Sequence, residues 1–139
     1  MTMARKLPLL TQETEAFWRG GAQGELRIFR CQACKTWIHP PTPICLHCDS
    51  LDVGPEPVCG RGHVTSFTIN HQAWAPELDT PFVIAIVELV EQPGLRFLTN
   101  VVDCAVDEVA IDMPVRVVFE QHEDIWLPLF ERDQPEANA

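Results

Sequence analysis

Long apolar runs are missing from this chain. No stretch approaches the roughly 20 residues that span a bilayer. The longest candidate, Pro81 to Val90, has the length of a strand and contains Glu88. Met1 to Pro8 has neither the apolar core nor the cleavage site of a secretion signal, so the expected compartment is the reducing cytoplasm. Basic residues are scarce in the second part: Val64 to Ala139 holds three Lys/Arg against fourteen Asp/Glu, a net −11. Met1 to His63 holds seven against six, and the whole chain carries −10. Nucleic-acid affinity depends on clustered Lys/Arg that neutralise phosphates, so the acidic second part argues against that partner. A catalytic constellation is lacking too. His63, His71 and His122 have no nucleophile or carboxylate arranged around them, and Cys59 and Cys104 lack the context of a catalytic cysteine. Those two cysteines read as small, buried or half-buried apolar residues.

The remaining four cysteines form two C-x-x-C hooks, Cys31/Cys34 and Cys45/Cys48, separated by the ten residues Lys35 to Ile44. Two such hooks can set four sulfurs at the corners of a tetrahedron. Zinc(II) is the usual occupant, and four thiolates close its shell, so the expected role is structural. Two disulfides would need an oxidising compartment. A rubredoxin-type iron site is the other alternative. Hooks of this kind usually carry Gly after the second Cys, where the chain turns left-handed; Lys35 and Asp49 stand there instead. Metal availability and the short loop favour zinc. His39 and His47 lie near the hooks, but four cysteines already complete the shell.

A hydrophobic fraction of 46% over 139 residues fits one domain or two small modules. Thr11 to Gly20 reads as a short helix, capped by Thr11 and ended by Gly20-Gly21. Gly24 to Arg30 alternates like a ribbon strand, and Asp52 to Pro57 reads as a linker. Five strands should follow: His63 to His71, Pro81 to Leu89, Leu95 to Cys104, Met113 to His122 and Ile125 to Phe130. In the first, Val64, Ser66, Thr68 and Asn70 should share a face; in the second, Val83, Ala85 and Val87 should. With a connecting element at Val106 to Ile111, this is the order of an OB-fold barrel. The expected fold is therefore mostly β: helix and rubredoxin-like zinc ribbon over 1–58, five-stranded OB barrel over 59–132, disordered tail over 133–139.

Taken in order, several pieces resemble one family. They are Phe17-Trp18, Gly24-Glu25-Leu26, the two hooks with Pro40-Pro41 between them, and Gly60-Arg61-Gly62-His63-Val64 followed by Ser66-Phe67-Thr68. Pro81 to Val87, Asp112-Met113-Pro114-Val115 and Leu127 to Phe130 continue the series, with Asp112 where Gly is usual. The chain is similar, from about Pro8 to Phe130, to the zinc-ribbon/OB-fold acyl-CoA-associated proteins, domain of unknown function thirty-five. The resemblance implies a non-catalytic accessory subunit. Its partners would be thiolase-like enzymes, including retro-aldolases of steroid side-chain degradation, or hot-dog enoyl-CoA hydratases. It also implies that the N-terminal helix and ribbon meet the partner and help shape the CoA path.

The residues bear on three functions. An accessory subunit binding acyl-CoA fits the positive charge of Arg19, Arg27, Arg30, Lys35 and Arg61, which suits CoA phosphates or an acidic rim. Arg61 is flanked by Gly60 and Gly62, which let a ligand or backbone come close. Phe17, Trp18 and Trp37 are more aromatic surface than a small first module should bury, so part of it should be covered by another subunit, in a homo- or hetero-oligomer. A nucleic-acid-binding ribbon and OB fold is the alternative, with Phe67, Phe82, Phe97 and Phe119 as stacking platforms; at alternating positions these read as barrel core. A self-sufficient enzyme has no residues to support it.

Overall fold

The computed structural model describes residues 7–73 and 79–133. Thr11, expected to cap the helix, instead opens the turn ahead of it, and Thr14 holds the N-cap position. The Thr11 hydroxyl accepts from the Thr14 N–H at 3.1 Å, and the Thr14 hydroxyl accepts from the Thr11 N–H at 3.1 Å. The α-helix itself, α1, is shorter than expected and spans Glu15–Arg19, followed by a 3-10 turn over Gly20–Gln23. Gly20 ends α1 as expected, with φ −61°, and the left-handed Gly24, at φ 72°, ends the 3-10 turn that follows. Gly20 and Gly21 are needed for closeness. A Cβ on Gly20 would sit 2.4 Å from the Glu25 carbonyl, and one on Gly21 2.4 Å from Trp126 Cβ.

Three antiparallel strands follow: β1 (Leu26–Cys31), β2 (Trp37–Ile38) and β3 (Val53–Val58), in the order β2-β1-β3. β3 corrects the expected linker at Asp52 to Pro57. Its prolines, Pro55 and Pro57, are two residues apart opposite Phe29 and Arg27, so their missing N–H groups lie on one side. The Gln32 N–H bonds the Asp52 carbonyl at 2.8 Å, which puts the even-numbered residues of β1 in the hydrogen-bonded pairs. The prolines therefore face away from β1, as an edge strand permits.

The second sheet is a closed barrel of β4 (Arg61–Asn70), β5 (Phe82–Leu89), β6 (Arg96–Val102), β7 (Pro114–His122) and β8 (Ile125–Arg132), in the order β4-β5-β6-β8-β7. Closure leaves no free sheet edge, and a 3-10 turn at Val106–Glu108 connects the third and fourth barrel strands. Val83, Ala85, Val87 and Leu89 point inward together, as their alternation requires. β4 departs from its expected pattern. A bulge between Val64 and Ser66 breaks the register, so Val64 is fully buried while Ser66 and Thr68 face solvent. Phe67 and Ile69 then pack against the core instead.

Gly60 and Gly62 admit the barrel's own strands. A Cβ on Gly60 would meet Val117 at 2.5 Å, and one on Gly62 the Glu88 carbonyl at 2.3 Å. Asp133, expected to begin the tail, is tied down: its N–H bonds the Pro114 carbonyl at 2.9 Å. Residues 134–139, the rest of that tail, lie outside the described residues.

Ribbon and barrel share one buried cluster, to which the ribbon adds Leu26, Ile28 and Trp37, and two further sets of contacts join them. The Gln92 side chain grips the backbone of β2, accepting from the Trp37 N–H at 2.9 Å and donating to the Trp37 carbonyl at 3.1 Å. Beside it, Phe17, His39 and Phe97 stack with centroids 5.2 to 6.2 Å apart, and Phe97 continues to the fully buried Phe130. His39 is thus an aromatic bridge between helix, ribbon and barrel. Burial lowers its pKa and keeps the ring neutral.

Candidate metal centre and partner surface

The two hooks fold as near copies of each other. The Lys35 N–H bonds the Cys31 carbonyl at 3.0 Å, and the Asp49 N–H bonds the Cys45 carbonyl at 2.8 Å. The N–H of Cys31 donates to Thr36 O and that of Cys45 to Ser50 O, both at 2.9 Å. Each turn needs a left-handed residue after its second cysteine, and Lys35 (φ 68°) and Asp49 (φ 64°) adopt that conformation without being glycine.

All four sulfurs lie within 4.8 Å of one another, with Cys31 to Cys48 at 3.5 Å and Cys34 to Cys45 at 3.7 Å. A tetrahedron with Zn–S bonds of about 2.3 Å has edges of about 3.8 Å, so the cluster is the right size. Backbone N–H groups of Cys34 and His47 point at Cys31 Sγ and Cys45 Sγ, each at 3.4 Å, and would spread negative charge from bound thiolates. Acidities in the cluster are split. Hydrogen bonds from the Thr36 side chain and backbone hold the Cys34 thiol down to about 6. At Cys48 the Ser50 backbone favours the thiolate, but the sulfurs of Cys31 and Cys34 outweigh it and push the thiol up to about 12. Four anionic sulfurs this close require a cation between them, and zinc supplies it while holding the two hooks together.

A supporting layer surrounds the knuckles. Arg30 donates from Nε to the Lys35 carbonyl at 2.9 Å, pairs with Glu56 at 3.4 Å and lies 4.4 Å over the Trp37 ring. Gln32 donates to the same carboxylate at 2.7 Å; this bond, followed by Arg30, holds the Glu56 carboxyl below the usual range. Arg30 therefore braces the first hook. Trp37, expected on a surface waiting for a partner, is only 8% exposed because it joins the core cluster shared with the barrel and lies under the Arg30 guanidinium. Phe17 and Trp18 are half-buried, edge to face at 4.7 Å. Arg19 is exposed and paired with Glu15 at 3.0 Å, and Arg61 is exposed beside Asp133 at 3.7 Å. His47 and His39 both stay outside the sulfur cluster. Cys104 packs on the barrel core, whereas Cys59 is exposed, contrary to its expected burial. Gln92 and Glu56 carried no local signal; their partners lie 55 and 26 residues away.

A rubredoxin-like knuckle pair joined to a five-stranded Greek-key barrel defines a zinc-ribbon/OB-fold protein. Residues 18–54 match the model of the ChsH2 rubredoxin-like zinc ribbon domain, and residues 55–120 that of the ChsH2 C-terminal OB-fold domain. The chain belongs to this ChsH2-type, DUF35 family. It is 37% identical over 97% of its length to a probable enoyl-CoA hydratase alpha subunit of Thermomonospora curvata, of which it covers 42%. A DUF35 domain-containing scaffold protein of Methanothermobacter thermautotrophicus is 31% identical, with 78% of this chain and 83% of that protein aligned. Among solved structures, a chain of an Ltp2-ChsH2(DUF35) aldolase superposes with a TM-score of 0.79 at 39% identity, covering 91% of this chain and 98% of that one. The chain thus spans about two-fifths of the length of the hydratase alpha subunits it matches. Among the described residues, no helix is long and apolar enough to cross a membrane.

Proposed function

We propose that this chain is a non-catalytic accessory subunit, binding acyl-CoA and supporting a thiolase-like lyase or aldolase in acyl-CoA metabolism. The observation that carries this reading is the near-complete overlap with the DUF35 chain of a two-protein aldolase. The metal centre supports it: four protein thiolates leave zinc no open position, so the ion stiffens the ribbon and does not activate substrate. A hot-dog hydratase is the other partner class, favoured by the hydratase alpha subunit relative. In either case the metabolism is that of acyl-CoA thioesters, with steroid side chains one candidate acyl group, in the cytoplasm. The working division is the one expected from sequence, with the ribbon module ending at Val58.

Contact with CoA itself is assigned to a cleft of about 470 Å³ between α1 and β8. Arg19, Arg27, Gln12 and Gln23 line it, with Trp126 at one side. The two guanidiniums could take phosphate oxygens and the indole an adenine face. Arg61 lies apart from that cleft. Phe17 and Trp18 stand next to it on α1, as the partner-facing residues.

Two measurements test the proposal. Purified chain incubated alone with acyl-CoA thioesters should give no turnover, and turnover without a partner would overturn it. Co-expression with thiolase-like and hydratase subunits should yield a stable complex with at least one of them. A chain that elutes alone from every combination would equally refute it.

A further inference from the structure

We infer that the outward face of β5 and β6 is the docking surface for the enzyme subunit. This rests on the accessory-subunit reading and adds where that subunit binds and what its surface is like. The inward side chains of these strands form the barrel core, so the alternate positions face out. On an OB barrel this face, formed by the second and third strands, commonly receives ligands. Here it is built from aliphatic side chains. The register puts Ile86 opposite Leu98 and Ile84 opposite Asn100, with Phe82 further along β5. Leu98 is 67% exposed, a large cost for a side chain at the middle of a sheet unless something covers it.

The patch extends beyond one strand pair. One shallow cleft runs along Phe82, Ile84 and Leu98; a second joins Leu98 to Trp18 on α1 and Leu127 on β8. Both include Leu98, so the two clefts meet at that side chain and together reach from β5 across β6 to α1. Ser66 and Thr68, opposite Ile86 and Ile84 on β4, form a polar rim. The one ion pair at its edge is Glu88–Arg96, at 2.8 Å. An apolar centre with a polar border is the anatomy of a protein interface.

Charge selects the occupant. Residues 64–139 carry −11, so a second copy would bring two strongly acidic barrels together, and a nucleic-acid strand would find no basic track. The fitting partner is a different, less acidic protein with an apolar surface: the thiolase-like subunit. Its approach to this strip would also seat Trp18 at the interface and bring the partner beside the cleft holding Arg19.

The test measures affinity of the full chain for a purified thiolase-like subunit, by titration, for wild type and exposed-leucine variants. Leu98→Glu should weaken binding by about 30-fold or more, the size of a central hot spot, with an unchanged melting temperature. Leu46→Glu on the ribbon and Ile111→Glu on a barrel turn should bind as wild type; those side chains are 81% and 55% exposed elsewhere. Should Leu98→Glu disturb folding, Leu98→Ser must show the same loss in a folded chain. If Leu98→Glu binds normally while the enzyme still binds, the docking face is wrong and the partner reading survives. If wild type binds no thiolase-like subunit, the thiolase-like partner reading has failed and this inference, which names that subunit, fails with it. If wild type is a homodimer that Leu98→Glu dissociates, the occupant is a second copy and the inference is overturned.

Discussion

Ribbon and barrel are both built mainly of antiparallel strands but are held by different forces. The ribbon's own buried cluster consists of Cys31, Ile38 and Cys45, and two of these three are metal ligands. The larger cluster runs through the barrel's Val64, Val83, Val87, Leu89, Val115 and Phe130, each at most 2% exposed, and takes in Leu26, Ile28 and Trp37 from the ribbon. At about 25 cal/mol per Å² of apolar surface, the barrel can stabilise itself by burial, whereas the ribbon cannot. Metal substitutes for a core where the chain is too short to make one.

The largest effect should come from removing that metal. Cys45→Ser deletes a buried ligand, and structural zinc contributes apparent binding free energy of about 10 kcal/mol or more to its fold. The expected outcome is loss of zinc in metal analysis and collapse of ribbon amide signals, while β5 and β6 amides stay dispersed. A variant that keeps stoichiometric zinc would show that the ribbon closes on three sulfurs. One in which barrel signals collapse too would show that the modules fold as a unit through Gln92 and the His39 stack.

Phe130→Ala makes the opposite cut. Phe130 is fully buried and touches Phe97 with centroids 5.4 Å apart, so a cavity should cost about 3–5 kcal/mol in denaturant unfolding. Zinc content should not change. A destabilisation below about 1 kcal/mol would mean that the barrel collapses around the gap.

The same contrast explains what could be read from the chain. Hook spacing located all four ligands because metal geometry is local: C-x-x-C brings two sulfurs together within one turn. Barrel strands were legible from alternation, with Val83, Ala85 and Val87 assigned to one face. The failures were positions whose conformation depends on distant neighbours. Pro55 and Pro57 look like linker residues until their edge position is known. The bulge between Val64 and Ser66 has no residue that announces it. Trp37 looked exposed because the cluster that buries it is made largely of barrel residues distant in sequence.

A smaller effect should appear at the contact joining the two regions. His39 is buried between Phe17 and Phe97, and its pKa is lowered by desolvation. The unfolded chain therefore binds a proton more readily than the folded one. His39 contributes fully above its unfolded pKa of about 6.5, and stability is lost as pH falls through that value toward the lower folded pKa. His39→Gln should flatten this part of the stability curve relative to wild type, measured by urea unfolding between neutral and mildly acidic pH. Parallel curves for the two proteins would show that the imidazole is not buried as a neutral ring. Taking the difference between the proteins cancels the acid release of zinc that both share.

The smallest effect tests whether one backbone conformation matters equally in both regions. Lys35 in the ribbon and Asp112 in the barrel are non-glycine residues at φ 68° and 69°. Left-handed backbone costs an L-residue about 1–2 kcal/mol, less for Asp, and glycine returns up to about 1 kcal/mol of that as unfolded-state entropy. Asp112→Gly should therefore raise global stability by about 0.5 kcal/mol, visible in denaturant unfolding. Lys35→Gly relaxes a residue whose carbonyl is held by Arg30 Nε and whose N–H is held by Cys31, in a turn that the metal closes. Its gain should appear as slower zinc loss to a chelator, with the barrel's unfolding midpoint unmoved. If Lys35→Gly shifts the global midpoint as Asp112→Gly does, the ribbon and the barrel share one unfolding transition and the division of forces between them fails.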